Sequence, residues 1–393
     1  MEAPKKLNVL FLPAWYPNRN DSMLGLFVQR HAIAVSEFAN VSVLAVISDE
    51  KAAQLYQIES HVQDGITEIL IYTKKCQTSF GIINTFVNAY RYITAHIAGW
   101  KILEQTDSKP DINHVHILTR AGIMALFFKI RYKIPFVITE HWSRYLPHHQ
   151  GGYSGAIRKK MTEKVLKASA GISTVSKALK SGMNTIGLIH PNWKIIPNVV
   201  DTKLFQSNDS NNNSDIIRIS HISCFEEKSK NMSGILRAAK ALKDLGREFE
   251  LVMIGNGPDW EKTKKHATEL NLEDSIRFTD VLEGDDLVDE MSRCHFSVLF
   301  SNYETFAIVI PENLSLGIPV IATDVGGIPE VLPLEYGKLI RPKDEAALSE
   351  AMAFMMDHYT EYDTDAMRNY VEENYSYGEV GKLFYKMYEE AIG

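Results

Sequence analysis

Short apolar runs alternate along the chain with longer stretches in which apolar and polar residues are mixed, and this pattern predicts strands alternating with helices. The runs that predict strands lie at residues 7–13, 41–47, 113–117, 136–139, 170–175, 216–223, 249–254, 276–280, 296–300 and 319–323. The mixed stretches that predict helices lie at residues 25–38, 79–103 and 232–245. Because strands that alternate with helices form parallel sheets through right-handed crossovers, the chain is predicted to be an α/β protein.

The 393 residues are enough for two domains, and the pattern changes near residue 196. A turn there is followed by QSNDSNNNSD, residues 206–215, a polar run that cannot pack a core and predicts a surface loop. We therefore expect one Rossmann-like domain at 1–195 and a second at 196–375, with a C-terminal helical segment at 376–393. The sequence YVEENYSYGEVGKLFYKMYEEA, residues 370–391, has the spacing of a single amphipathic helix.

The composition is that of a soluble globular enzyme, with 45% hydrophobic and 23% charged residues. No apolar run approaches the roughly 18 residues that a membrane span needs. Lys5 and Lys6 precede an apolar run, as in a signal peptide, but Asn8 and Pro13 interrupt that run, so it is interpreted as a first buried strand. Isolated cysteines predict reduced thiols and a cytoplasmic location. They are Cys76, Cys224 and Cys294.

The two halves of the chain carry opposite net charge. Residues 1–195 hold 23 lysines and arginines against 13 aspartates and glutamates, whereas the remaining residues hold 19 against 36. The basic excess around Arg158-Lys159-Lys160 could attract an anionic lipid surface or acceptor, or it could simply be a solvated helix face. Nucleic acid is not expected as a partner, because no aromatic platform accompanies the charge.

Residues 295–331 hold the densest set of chemical groups in the chain. Glu304 follows an apolar strand, and the carboxyl ends of such strands are where open α/β sheets bind ligands. Pro311 is predicted to take the first helical position with Glu312 behind it, and a helix start presents N–H groups that attract phosphate. The pair Gly326-Gly327 then lets the backbone approach a ligand closely. Two carboxylates and two N–H-rich turns suit a sugar joined to a diphosphate.

Other interpretations of the two glutamates remain open. Glu312 could simply complement a helix dipole. A pair of glutamates also suggests a glycosidase, which needs an acid and a nucleophile or base that face each other. Because Glu304 and Glu312 share one turn, their spacing favours holding a ligand over protonating a leaving group.

Glu304, seven intervening residues and Glu312, followed by SLGIPVIATDVGGIPEV, resemble the signature of the retaining glycosyltransferases of family 4, the glycosyl transferases group 1, which have the GT-B fold. The resemblance implies two Rossmann-like domains whose parallel sheets face each other across a cleft, and a C-terminal helix that crosses back to the first domain. It implies that Glu304 meets the donor sugar, that Glu312 meets the ribose and that the backbone between them holds the diphosphate. The backbone positions concerned are Phe306, Ala307, which stands where the family usually has glycine, and Ile308.

The same resemblance implies a basic pair in the loop after the strand at 216–223. Lys230 matches the lysine of that pair, which would neutralise the diphosphate as a point charge. Cys224 and Glu226 occupy the neighbourhood of the expected arginine, and Lys228 could compensate for it.

Two further donor-binding positions follow strands of the second half. Gly255-Asn256-Gly257 has two glycines of a dinucleotide fingerprint, but Trp260 stands at the third, so NAD binding is not expected. The turn is similar instead to the family's own glycine turn, which makes Gly255 a donor-binding candidate. Val281 matches the position at which family members hold the nucleotide base with backbone groups.

The first half offers two candidates that the resemblance places near the donor and the acceptor. Gly25 ends a polar loop and precedes a helix, where alone it would be a simple turn. His141 follows a strand and is implied to lie near the transferred sugar, against the alternative of a buried structural histidine. Arg144, three residues on, could face an anionic acceptor.

Three groups of residues have spacings that could bind a metal, and none is expected to do so. His114 and His116 share one face of a strand but have no apparent third ligand. Asp363-Thr364-Asp365 is the only Asp-x-Asp match and is interpreted as part of a late polar loop. The acidic run at 283–289 precedes an amphipathic pattern and is interpreted as complementing a helix dipole.

Together these features predict an enzyme, a glycosyltransferase of the hexosyltransferase type in polysaccharide biosynthesis. It would move a sugar from a nucleotide-diphosphate donor, expected to be a UDP-sugar, to a hydroxyl of a glycan, lipid-linked or small-molecule acceptor. Its catalytic residues would be Glu304, His141 and Lys230, with no cofactor or metal. We also expect a cytoplasmic location with peripheral contact at the inner face of the plasma membrane. The alternatives are a non-catalytic nucleotide-sugar-binding protein on the same fold, a sugar-nucleotide epimerase or a phosphorylase on a related fold, and a dehydrogenase.

Overall fold

A computed structural model describes residues 6–52, 54–105, 109–118, 120–147, 153–206 and 216–393. The chain forms two compact units. The first contains residues 1–175, 180–199 and 377–393, and the second contains residues 176–179 and 200–376. All but the first residue of the predicted polar loop at 206–215 lies outside the described residues.

The first unit is built on an eight-stranded sheet. Its strands are β1 (Asn8–Pro13), β2 (Asn40–Asp49), β3 (Tyr56–Gln63), β4 (Ile66–Lys74), β5 (Ile112–His116), β6 (Phe136–Glu140), β7 (Gly171–Thr174) and β8 (Trp193–Ile195). Their order is β3-β4-β2-β1-β5-β6-β7-β8, and every neighbouring pair is parallel except β3 and β4. The helices between them are α1 (Leu26–Ser36), α2 (Gly81–Gln105), α3 (Arg120–Tyr132), α4 (Ala156–Ala168) and α5 (Lys177–Thr185), of which residues 177–179 belong to the second unit.

The antiparallel pair β3–β4 is an exception to the predicted parallel sheet. Its two-residue turn is Asp64-Gly65, and both residues have positive φ, 51° and 76°. Asp-Gly is a preferred sequence for this hairpin turn, because the turn needs φ above zero at both central positions. The sequence therefore contains the signal for this hairpin, although the strand alternation alone does not predict it.

The second unit has a six-stranded, wholly parallel sheet. Its strands are β9 (Ile217–Ile222), β10 (Phe249–Ile254), β11 (Ile276–Thr279), β12 (Phe296–Leu299), β13 (Val320–Thr323) and β14 (Gly337–Ile340), in the order β11-β10-β9-β12-β13-β14. Its helices are α6 (Glu227–Lys230), α7 (Met232–Asp244), α8 (Trp260–Glu269), α9 (Gly284–Ser292), α10 (Val309–Ser315), α11 (Ile328–Val331), α12 (Glu345–His358) and α13 (Thr364–Tyr375). The strand order reverses between β9 and β12, and ligands of open α/β sheets bind at the carboxyl ends of strands at such a reversal.

Helical spacing of apolar residues accounts for how the helices of the second unit pack. In α7 the buried residues Ile235, Ala239 and Leu242 recur at intervals of four and three, which places them on one face. That face joins a core that also contains Leu348 and Met352 of α12. The predicted α/β class with two Rossmann-like domains is confirmed by the two sheets.

The predicted single tail helix at 370–391 is wrong. The structure has α13 in the second unit and then α14 (Tyr377–Ile392) in the first, and Ser376 between them has extended backbone with φ −63° and ψ 160°. The helix α14 packs on α1, where a Cβ atom at Gly381 would lie 2.3 Å from the carbonyl oxygen of Ala34. The buried residues recur at intervals of four within each helix, but five residues separate the last of α13, Tyr375, from the first of α14, Val380, so the apolar face changes at the break.

Among the described residues, every helix is either too short or too polar to span a bilayer.

Candidate functional site

The reversal of strand order in the second unit brings together Lys230 and Glu304. Lys230 ends α6 in the loop after β9, and Glu304 lies five residues past the end of β12. The ammonium of Lys230 donates to Oε1 of Glu304, and the hydroxyl of Ser301 donates to the same oxygen at 2.9 Å. The side chains of Lys230 and Glu304 are 20% and 11% exposed. Sequence reasoning singled out both residues, whereas only the structure shows that they form an ion pair.

Charges around Lys230 keep it protonated. Burial disfavours the ammonium, but the attraction of Glu304, supported by Cys224 and Glu226, outweighs burial and raises the pKa of Lys230. A cation is thus held at the carboxyl edge of the sheet, where it can meet an anionic ligand.

Hydrogen bonds fix the loop of Glu304 to the loop of Lys230. The backbone N–H of Asn302 donates to the carbonyl of Ser229 at 2.7 Å, and the side-chain amide of Asn302 donates to the carbonyl of Lys228 at 3.1 Å. The hydroxyl of Tyr303 donates to a carboxylate oxygen of Glu226 at 3.4 Å. Sequence reasoning missed these positioning contacts, and the polar turn that directly follows β12 is the signal that could have indicated them.

The expected arginine of the basic pair has no counterpart in this loop. Cys224 is exposed, and Glu226 is the acceptor for Tyr303. Lys228 is exposed, and its carbonyl holds Asn302.

The turn between the two glutamates has the backbone conformation that glycine prefers. Ala307 has φ 60°, in the left-handed region that L-residues rarely adopt. The side chain of Phe306 is buried and packs edge-on against Tyr375, so only its backbone is available to a ligand. Ile308 precedes the first residue of α10 as its N-cap.

The prediction that Pro311 is the first helical residue is wrong. The helix α10 begins at Val309, which makes Pro311 the third helical residue. Proline is tolerated there because the first N–H groups of a helix have no intrahelical acceptor to lose. Glu312 follows in the first turn and is buried.

The glycines after β13 approach the Glu304 loop. A Cβ atom at Gly326 would lie 1.9 Å from the carbonyl oxygen of Glu304, and one at Gly327 would lie 2.2 Å from that of Thr305. The N–H of Gly327 donates to the Glu304 carbonyl at 3.2 Å. The sequence predicts that these two glycines let the backbone approach a ligand. In the structure they let it pack against the loop that carries Glu304.

The remaining donor-binding candidates of the second unit also follow strands of its sheet. A Cβ atom at Gly255 would lie 2.1 Å from the carbonyl oxygen of Ser223, so this glycine lets the loop after β10 pack on the loop after β9. Val281 follows β11 and is exposed, and its N–H donates to the side chain of Asp280 at 2.8 Å.

In the first unit, Gly25 is the N-cap of α1 and has φ 74°. A Cβ atom there would lie 2.4 Å from the carbonyl oxygen of Trp15, so the loop after β1 can close on itself only with glycine at this position.

His141, directly after β6, belongs to a buried cluster of histidines. Its Nε2 lies 3.2 Å from Nδ1 of His116, and metal-ligating nitrogens of His31, His116 and His141 all lie within 4.8 Å of one another. The third member, His31, comes from α1 and was not a sequence candidate. By contrast His114 is satisfied on both nitrogens, by the hydroxyls of Tyr388 and Thr139 at 2.7 Å each.

Burial keeps the clustered histidines neutral. It lowers the pKa of His31 to about 3 and the pKa values of His116 and His141 well below their usual range. Neutral imidazoles can hydrogen-bond a sugar hydroxyl or ligate a metal. His31 Nδ1 and His116 Nε2 are buried without a hydrogen-bond partner, whereas Nε2 of His31 faces the carbonyl of Pro197 at 3.1 Å. This is the one three-residue group among the described residues that could hold an ion.

The carboxylate groups with possible metal spacing have structural partners. Asp363 does not lie in a polar loop as predicted, because it is the N-cap of α13 and accepts from the N–H of Ala366 at 2.9 Å. Asp365 pairs with Arg368. The acidic run at 283–289 forms the start of α9, as its interpretation as a helix-dipole complement requires.

Two family sequence profiles match the chain. Glycosyl transferases group 1 matches residues 202–374 and Glycosyltransferase Family 4 matches residues 76–204, so the two together extend from residue 76 to residue 374. Over 241 residues the chain is 27% identical to the MMP alpha-(1->4)-mannosyltransferase of Mycolicibacterium hassiacum, which covers 59% of this chain and 57% of that protein. The chain spans between 43% and 63% of the length of three curated relatives that it matches.

Solved structures show the same fold. Sucrose-phosphate synthase from Thermosynechococcus elongatus superimposes with a TM-score of 0.76 at 16% identity, over 98% of both chains. The Anabaena protein HepE, solved in complex with UDP and glucose, superimposes with a TM-score of 0.73 at 15% identity, over 98% of this chain and 99% of that one. The predicted GT-B fold is confirmed by these likenesses.

Proposed function

This chain belongs to the group 1 glycosyl transferases, a family with the GT-B fold, and we propose that it moves a hexose from a nucleoside diphosphate to a hydroxyl of an acceptor with retention of the anomeric configuration. The observation that carries the proposal is the Lys230–Glu304 ion pair at the strand-order reversal of the second sheet. It holds a cation for a diphosphate and a carboxylate for sugar hydroxyls at the place where such sheets bind ligands.

In the proposed reaction the bond between the anomeric carbon and the diphosphate oxygen breaks, and negative charge develops on the diphosphate. Lys230 and the N–H groups of residues 306–308 stabilise that charge in place. Glu304 positions the sugar, and Glu312, buried in the first turn of α10, binds the ribose. The acceptor oxygen bonds to the anomeric carbon on the face that the leaving group vacates, and a diphosphate oxygen takes the acceptor proton.

His141 fits a supporting role toward the sugar. Because burial lowers its pKa well below the usual range, its imidazole is neutral at neutral pH and can exchange hydrogen bonds with a sugar hydroxyl without carrying charge.

The donor base is proposed to be uracil. HepE was solved with UDP, and UDP is accordingly the first nucleotide to test. No metal is proposed, because Lys230 already supplies a cation for the diphosphate.

A peripheral location on an anionic membrane is part of the proposal, with a glycan, lipid-linked or small-molecule acceptor. It is supported by exposed apolar residues of α2 and by the basic residues of α4, which are Arg158, Lys159, Lys160, Lys164 and Lys167.

The test begins with thermal stabilisation of the full chain by UDP, GDP, ADP and NAD, each with EDTA. A ligand at a hundredfold its dissociation constant adds roughly 2.7 kcal/mol to the free energy of unfolding, so binding raises the melting temperature visibly. We expect UDP to stabilise without metal. If none of the diphosphates stabilises the protein, the proposed donor site is wrong.

Variants then separate binding from chemistry. Glu312→Ala is expected to weaken UDP binding by about 1.5–3 kcal/mol, as for loss of a hydrogen bond to a charged group. Lys230→Ala is expected to lower the rate of UDP-sugar turnover on the order of a hundredfold. Lys262→Ala, which removes an exposed lysine from α8, is the matched control and should leave both unchanged. Donor binding with no turnover on any acceptor would favour the non-catalytic binding protein instead.

A further inference from the structure

A cavity of about 900 Å³ opens at the carboxyl edge of the first sheet. Its walls come from the loop after β1, the ends of β2 and β4, the loop after β6, and the helices α2, α3 and α4. Its volume is within the range of sites for small organic ligands. None of the residues assigned above to the donor lines this cavity, so we consider it as a site for a different ligand.

Three arginines line this cavity, and the described lining residues include no aspartate or glutamate. The arginines are Arg120 at the start of α3, Arg144 in the loop after β6 and Arg158 in α4. Within the described part of the chain, none of the three forms an ion pair with a carboxylate. The cavity lining therefore holds positive charge that no described carboxylate of the lining offsets.

Arg144 is the buried member of this group. It is 9% exposed, and its Nε and one terminal nitrogen are buried without any hydrogen-bond partner. The guanidinium lies over the ring of Trp142. The ring covers one face of the guanidinium but does not accept its N–H groups, which point outward in the plane of that group. Burial is the main cause that lowers the pKa of Arg144. The positive charge of Arg158 also lowers it, whereas Tyr145 and Glu140 have the opposite effect.

The acidic group nearest in the sequence does not hydrogen-bond to Arg144. Glu140 is fully buried, and its carboxylate accepts three backbone N–H groups, from Leu118 at 3.0 Å and from His141 and Trp142 at 2.9 Å each. A carboxylate with these three donors is already satisfied, which leaves the N–H groups of Arg144 for another acceptor.

A second polar group in the cavity also lacks a partner. The hydroxyl of Tyr92, on α2, is buried with no hydrogen bond. Burial raises the pKa of Tyr92, with Arg120 opposing, so the phenol is a neutral donor beside a cation. Two unpartnered donors from different elements therefore line the same cavity.

The other lining residues carry no charge. Some are apolar, such as Trp15, Ile123 and Ile157, and others offer amide or hydroxyl groups, such as Asn18, Thr73 and Asn88. A ligand for this cavity thus needs an anionic group for the arginines and an apolar or sugar-like body for the walls.

We propose that this cavity binds the acceptor through a phosphate group, with Arg144 as the buried contact, Arg120 and Arg158 as additional cations and Tyr92 as a hydrogen-bond donor. The inference rests on the proposed function, because it names the acceptor class of that transfer. Phosphate fits better than carboxylate, because its two negative charges match several guanidinium groups and its oxygens accept their paired N–H groups. The phosphate belongs either to a soluble phosphomonoester or to a lipid.

The test measures binding of phenyl phosphate to the full chain in the presence of saturating UDP, which occupies the donor site. Arg144→Gln is expected to weaken phenyl phosphate binding at least tenfold, and Arg144→Lys to restore part of it. Arg131→Gln, an equal loss of charge at an exposed position of α3 outside the cavity, is the matched control and should change binding less than twofold.

Stability and UDP binding separate the possible causes of a loss. Because two buried guanidinium nitrogens of Arg144 have no hydrogen-bond partner, Arg144→Gln is expected to melt at or above the temperature of the unaltered protein. UDP should stabilise this variant as it stabilises the unaltered chain. If UDP stabilises neither the unaltered protein nor the variant, the proposed function fails. If UDP binds but the two proteins bind phenyl phosphate equally well, only the acceptor inference is overturned.

Two further arms identify the source of the phosphate. Vesicles of phosphatidylcholine containing phosphatidic acid should compete with phenyl phosphate if the acceptor is a lipid, and vesicles of phosphatidylcholine alone should not. Absence of competition from both supports a soluble phosphomonoester. Benzoate binding as tightly as phenyl phosphate would overturn the assignment of phosphate.

Discussion

Ala307 holds a backbone conformation that is costly for any residue with a side chain. At φ 60° its Cβ crowds the following carbonyl, which costs about 1–2 kcal/mol relative to the right-handed region. Glycine has no such penalty, but it loses more conformational freedom on folding, by roughly 0.5–1 kcal/mol. The steric term is the larger of the two.

We therefore predict that Ala307→Gly increases the free energy of unfolding by roughly 0.5–1 kcal/mol, measured by urea denaturation. The control is Ala241→Gly on the exposed face of α7, which should lower it by about 1 kcal/mol because a helix interior favours alanine. Equal destabilisation by both substitutions would show that Ala307 is not strained.

Residue types indicated part of the candidate site from the sequence. Glu304 and Lys230 could be singled out because each lies in the loop after a predicted strand and matches a family position. Their ion pair could not, since 74 residues separate them and only the order of β9 and β12 in the sheet makes them neighbours.

At the scale of elements, the helix α2 has two halves with different surroundings. Its second half buries residues such as Trp100 and Leu103 in the first unit. Its first half exposes Ile82, Phe86 and Tyr90 at intervals of four residues, with exposures of 76%, 73% and 68%. Exposed apolar residues on one helix face typically mark an interaction surface.

We predict that this exposed face inserts into anionic membranes. Phe86→Asp should reduce co-flotation of the protein with phosphatidylglycerol-containing vesicles several-fold, because it places a charge among the inserted side chains. Leu245→Asp, at an equally exposed leucine of the second unit, is the control and should not reduce it. Flotation that is unchanged by Phe86→Asp would remove α2 from the membrane contact.

At the scale of the whole molecule, both units bury neutral histidines. The pKa is lowered to about 3 for His31 and to about 4 for His96, both in the first unit, and to about 4 for His221 in the second, in each case chiefly by burial. In the unfolded chain these groups titrate near 6.5. Between 6.5 and the lowered value, the unfolded chain binds more protons than the folded one, so stability falls as pH falls.

The chain is therefore expected to lose stability on acidification below pH 6.5, by up to about 1.4 kcal/mol per pH unit for each such histidine. Melting temperatures from pH 7.5 to 5 test this. His31→Gln should lose less stability per pH unit than the unaltered protein, because one of the titrating histidines is removed. This change in slope is expected whatever the effect of the substitution on stability at pH 7.5. A parallel decline in the variant and the unaltered protein would show that His31 is not buried neutral.

The sequence by itself determined the α/β class, the two Rossmann-like sheets and the loops that carry Glu304 and Lys230. These depend on apolar periodicity and on turn residues, which act over a few neighbouring positions. Even the hairpin at Asp64-Gly65 is readable in this way.

Only the tertiary structure decided which unit each tail helix joins, the histidine cluster and the arginine cavity. Both tail helices have helical spacing, and which unit each helix joins depends on distant packing. His31, His116 and His141 come from α1, β5 and the loop after β6, and Arg120, Arg144 and Arg158 come from three different segments. Whether such groups are buried, paired or left without a partner depends on atoms far away in the chain, and local sequence patterns carry no information about those atoms.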